Sequence, residues 1–113
     1  MKSYTDIEQS KKLAEILPLE SADMIWVLAN PDLPMIKAIA YEDSEKSKYY
    51  EILPAWSLAA LLSVLPDYTL QTNSDGTVFL VCDSKKPMIS DAYNNPVDAC
   101  VAMIELLHEL KML

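Results

Sequence analysis

A chain of 113 residues with 17 carboxylates, nine lysines and no arginine carries a net charge of −8 and has a single glycine. That length fits one domain, residues 1–113, able to bury about two thirds of its unfolded surface, while the acidity repels nucleic-acid backbones and anionic membranes. Without arginine the chain lacks the two-pronged fork that grips phosphate and guanine, and lone Gly76 cannot build a phosphate-cradling loop, which needs close backbone approach at several positions.

The first element opens at Thr5-Asp6-Ile7-Glu8, where Thr5 can accept the Glu8 amide and Glu8 can reach back to the Thr5 amide as a capping box. Ile7, Leu13, Ala14 and Leu17 form a narrow apolar stripe, Glu8 and Lys12 are spaced as an i,i+4 pair, and Pro18 forces a stop, so a helix is predicted over residues 6–16. Met24-Ile25-Trp26-Val27-Leu28 is rich in strand formers and ends at Asn30-Pro31-Asp32-Leu33-Pro34, whose prolines exclude regular structure. Residues 35–41 read as a second strand, joined to the first in a hairpin. The charged run at residues 42–48 reads as a solvated connector.

Ser57 is placed to cap a helix over residues 58–65 that is apolar nearly all round and must be covered on most sides. Strands at residues 68–73 and 77–82 flank Ser74-Asp75-Gly76, where Asp-Gly is a strong hairpin signal. Val78-Phe79-Leu80-Val81 is apolar on both faces and should be a central strand covered on each side, whereas residues 68–72 alternate like a half-exposed neighbour. Residues 84–87 break the pattern, and residues 88–93 could form one further strand. In the final helix Asn95 is the cap, Pro96 takes the first turn and Asp98 faces the positive end of the dipole. Val97, Cys100, Val101, Ile104 and Leu107 make one buried stripe, Ala99, Met103, Leu106 and Leu110 a second, and Asp98, Glu105 and Glu109 mark a wet strip. The predicted class is α+β, ordered αββαββ(β)α, with a mainly antiparallel sheet of three to five strands and about three helices, mostly on one face.

Catalytic chemistry is thinly represented. His108 is the sole histidine, and no Cys-x-x-Cys or His-x-x-x-His spacing exists, so neither a metal nor a cofactor site is expected. Cys100 and His108 lie two helical turns apart, about 12 Å along the axis, which excludes contact between them; Cys82 could reach His108 only through the fold. The simpler reading of both cysteines is packing, reduced in a cytoplasmic setting, with no secretory leader visible after Met1-Lys2. Glu42/Asp43 and Glu105/Glu109 are carboxylate pairs of a kind that helix faces and loops carry routinely. Aromatic residues are better candidates for partner contact: Tyr49 and Tyr50 beside the charged run, and Trp26, with Trp56 assigned to the core.

The phrases spanning residues 4–24, 54–62 and 95–104, including Leu17-Pro18-Leu19-Glu20-Ser21-Ala22-Asp23-Met24 and Asn95-Pro96-Val97-Asp98-Ala99-Cys100, resemble small uncharacterised proteins of phages and prophages of gut anaerobic bacteria. The likeness covers roughly residues 4–24, 54–82 and 93–110. It implies a mobile-element context and no activity that any residue here could inherit.

With 51% of residues hydrophobic and a mean hydropathy of +0.09, the chain holds more apolar material than a monomer this small readily hides. The expectation is a homo-oligomer and a non-enzymatic protein-interaction or accessory module, binding neither nucleic acid nor membrane. The alternatives are an acidic DNA mimic that blocks a nuclease or polymerase, and a small-ligand binder or enzyme with a pocket that the sequence hides.

Overall fold

The computed structural model describes residues 2–29, 32–41, 51–83 and 87–113. Tyr49, Tyr50 and the charged connector lie outside them. The described chain is α+β and antiparallel throughout: α1 (Ile7–Ala14), a 3₁₀ turn (Leu19–Ser21), β1 (Met24–Val27), β2 (Met35–Lys37), β3 (Ile52–Ala55), α2 (Leu58–Val64), β4 (Tyr68–Thr72), β5 (Val78–Asp83), β6 (Pro87–Ile89) and α3 (Pro96–Glu109). Its strands make two three-stranded sheets, β2-β1-β3 and β4-β5-β6, in place of the single sheet expected.

Helix α1 begins one residue later than the Thr5–Glu8 box predicts. Asp6 is the cap: its carboxylate accepts from the Gln9 amide at 2.8 Å, and the Gln9 side chain accepts from the Asp6 amide at 3.1 Å. Thr5 is unavailable because it is fully buried and employed elsewhere. Its hydroxyl accepts the Trp56 amide at 3.1 Å and shares a 2.8 Å hydrogen bond with Ser10, while its own amide donates to the Trp56 carbonyl at 2.9 Å. Glu8 meets Lys11 at 4.0 Å instead of Lys12, an exposed pair worth little.

The β1–β2 hairpin forms as expected, with Trp26 opposite Ile36, but β2 stops at Lys37. The sequence reading missed β3, which lies on the far side of β1 with Pro54 opposite Ile25. Proline is tolerated there because β3 is an edge strand, where a missing N–H removes no ladder bond.

Helix α2 has the predicted cap, Ser57 Oγ accepting from the Ala60 amide at 3.2 Å. It buries Ala60 and Leu61 while Ala59 and Ser63 face solvent, so its cover is one-sided. The β4–β5 hairpin turns at Gly76, whose φ of +89° is the left-handed conformation that glycine adopts without strain. Asp75 Oδ1 accepts from the Thr77 amide at 3.0 Å and fixes the turn.

Strand β5 is central, as predicted, but its cover is uneven: Val78, Leu80 and Cys82 are buried on one face, while Phe79 and Val81 on the other are half-buried. The strand expected over residues 88–93 is interrupted. Only β6 is regular, after which Ser90 Oγ accepts the Leu80 amide at 2.9 Å and Tyr93 rejoins Val78 through a two-way bridge of 2.8 Å hydrogen bonds.

Helix α3 is capped by Asn95, which accepts from the Asp98 amide at 2.9 Å, with Pro96 in the first turn. It packs on β5 and α2 and contributes Val97, Ala99, Cys100, Val101, Met103, Ile104 and Leu107 to one continuous core with Leu13, Leu17, Trp56, Leu61, Leu80 and Cys82.

Candidate interaction surface

The two cysteines fall into the core, and the histidine stands at the surface among carboxylates. Cys82 and Cys100 are both fully buried, and burial pushes both thiols up; Cys82 nearby adds to the effect on Cys100, which reaches about 12, and Asp67 adds to that on Cys82. Neither offers a thiolate near neutral pH. His108 lies exposed in the last turn of α3, on a shallow hollow of about 380 Å³ that it shares with Lys12, Glu15, Ile16, Glu105 and Glu109. Among the described residues no group of three or more His, Cys, Asp or Glu side chains could hold a metal ion, and no helix is long and apolar enough to cross a membrane.

Of the three residues singled out for partner contact, Trp26 alone is described. It is half-buried: its indole N–H donates to the Thr5 carbonyl at 3.0 Å, and its ring meets Tyr4 edge-on with centroids 5.8 Å apart. These contacts hold it as one wall of a cleft of about 310 Å³ with Lys2, Ser3, Tyr4 and Asp6. Trp56 is fully enclosed, as expected, and its indole N–H donates to Ser21 Oγ at 2.9 Å.

Next to that cleft an ionic network ties the amino-terminal segment to both outer helices. Lys2 Nζ bonds Asp98 at 2.8 Å and Asp6 at 3.0 Å, and Asp98 also accepts from Gln9 at 2.8 Å and Asn95 at 2.9 Å. Partial burial works against charge on Asp98, but the hydrogen bonds from Lys2, Gln9 and Asn95 outweigh it and hold the carboxyl below its usual range. Lys2 mirrors this: partial burial would lower it, yet its bonds to Asp98 and Asp6 keep the ammonium above its ordinary value.

The most exposed apolar surface is one that the sequence reading did not single out. Leu33, Met35 and Ile39 stand 70%, 57% and 42% exposed on β2 and its flanks, at the outer edge of the β2-β1-β3 sheet. Their spacing at alternate positions was a visible signal, since an extended chain sends residues 33, 35, 37 and 39 to one side. Ile89 at the end of β6 and Leu110 at the C-cap of α3 are also exposed, at 64% and 49%. No family model matches the chain, and neither a curated protein nor a solved structure is significantly similar to it.

Proposed function

We propose that this chain is a non-enzymatic interaction module, an accessory protein of mobile-element type working in the cytoplasm, that associates with a second copy of itself through the edge of β2. The observation that carries the reading is the exposure of Met35 on the short edge strand β2 together with Leu33 and Ile39 on the segments that flank it. An edge strand offers unpaired backbone groups to a further strand, and a two-fold pairing centred on Ile36 would set Leu33 of one copy opposite Ile39 of the other and Met35 opposite the aliphatic stem of Lys37. Pro34 and Lys37 limit open-ended growth, because both are poor templates for continued pairing. The enclosed, high-lying thiols support a role in contact over one in thiol chemistry.

Sedimentation velocity from low micromolar to tens of micromolar tests the reading. The unaltered protein is expected to shift from monomer to dimer, and Met35→Lys, at an exposed position, to remain monomeric with unchanged thermal stability. A chain that stays monomeric throughout that range, or a Met35→Lys variant that dimerises as well as the parent, overturns it.

A further inference from the structure

The outer side of α3 carries a second surface that self-association through β2 leaves free. Ala102, Leu106 and Leu110 fall at i, i+4 and i+8, so they form a row along α3 and its C-cap, and Ile89, the last residue of β6, lines the same groove as Ala102 and Leu106. Between them runs an open groove of about 400 Å³ of mixed lining, in which Ile89, Tyr93, Ala102 and Leu106 stand beside Ser90 and three carboxylates. Carboxylates rim both walls: Glu105 and Glu109 on the helix, and Asp91 on the segment after β6. Among the described residues none of the three has an ion-pair partner, and no lysine or histidine lines the groove. Glu105 and Glu109 also line the neighbouring hollow beside α1, so the acidic ridge is shared by two concavities.

A groove that sets aliphatic side chains among unpaired carboxylates selects its occupant by sign. An anionic lipid surface or a nucleic acid would be repelled, and a purely apolar segment would leave three carboxylates partly desolvated and uncompensated. A segment carrying aliphatic side chains flanked by ammonium or guanidinium groups fills the groove and answers the rim. We infer that the α3–β6 groove docks a basic amphipathic segment of a partner protein, with an aliphatic anchor against Ile89 and Leu106 and cations against Asp91, Glu105 and Glu109. This rests on the interaction-module reading for its premise that the chain works by contact, and it deepens that reading by naming a partner class.

The test is fluorescence anisotropy of the full chain with a short labelled synthetic peptide of leucine and lysine at helical spacing. Its controls are a scrambled peptide, a glutamate-for-lysine peptide and spermine as competitor. Saturable binding is expected, weakened about tenfold by Glu105→Lys with Glu109→Lys and about threefold or more by Ile89→Ser, but less than about twofold by Glu8→Lys with Glu20→Lys, which changes net charge equally elsewhere. Equal losses from both pairs of reversals, indifference to Ile89→Ser, or full displacement by spermine at peptide-like concentrations would each overturn the inference, as would no binding at all. Should the helix reversals not fold, Asp91→Asn with Ile89→Ser poses the same question away from α3. Sedimentation of the same samples separates the two readings: dimers that ignore the peptide sink the groove alone, and peptide-binding monomers sink the β2 contact alone.

Discussion

Asp98 illustrates how one side chain can serve several elements. It was legible in the sequence as an acid at a helix N-terminus, and it is one, but it also accepts from Lys2, ninety-six residues away, and from Gln9 of α1. No local pattern encodes such a partner, because sequence spacing reports neighbours only along a helix or strand. Because the folded carboxyl sits below its usual range, its contribution to stability is fully present above about pH 4, the ordinary carboxylate value, and fades as pH falls through the lower folded value. Lys2, held above its ordinary value, loses its contribution only as pH rises through that higher value. Asp98→Asn is therefore expected to cost about 1–2 kcal/mol in urea melts at neutral pH and to flatten the acid limb of the stability profile. A variant with an unchanged acid limb would assign that limb to other groups.

The thiols make a second residue-scale prediction. With Cys100 at about 12, the thiolate fraction at pH 7 is on the order of one in 10⁵, and both side chains are enclosed. Iodoacetamide should label neither cysteine in the folded protein and both in urea, read by intact mass. Labelling of Cys82 under native conditions would mean that β5 opens locally.

At the scale of elements, the readable parts were those governed by local chemistry. The cap and proline of α3, the Ser57 cap and the Asp-Gly hairpin each declare themselves within four or five residues. The α1 box slipped by one residue because Thr5 has a tertiary task in holding Trp56, and β3 was missed because Pro54 argues against a strand unless the strand is known to be an edge. That knowledge is topological and not contained in residues 52–55. Gly76 is where local logic is most exposed to test. Nothing stands within 4 Å of an added Cβ, so Gly76→Ala meets no clash and suffers only the strain of φ +89°. The expected loss is about 1–2 kcal/mol by denaturant melt, with Gly76→Asn milder because asparagine tolerates that region better. A neutral Gly76→Ala would imply that the turn relaxes to another type.

For the molecule as a whole, charge gives the two proposed contacts opposite responses to salt. Copies that each carry −8 repel on approach, so self-association through β2 should tighten as ionic strength rises from about 50 to 500 mM, whereas a basic segment in the α3 groove should be released over the same range. Sedimentation and anisotropy across one salt series read both slopes. Two slopes of the same sign would show that one contact has been misassigned. The division into two sheets was not legible at this scale, since the pairing of β1 with β3 joins segments distant in sequence, which residue spacing does not report. The aromatic candidates were partly legible: Trp26 is on the first strand as expected, but its indole is committed to Thr5, and the exposed apolar edge lies a strand away.

Both tryptophans are tied to the same threonine, one through its ring and the other through its main chain. The Trp26 indole donates to its carbonyl, the Trp56 main chain bonds its hydroxyl and its amide, and the Leu58 amide donates to the Ser3 carbonyl, so residues 2–6 act as a clasp closed over two natural fluorophores. Loosening that clasp should alter the surroundings of both rings together, before the interior around α3 is breached. The molecule thereby carries its own optical gauge of whether the fastening is shut, and no dye needs to be attached to read it.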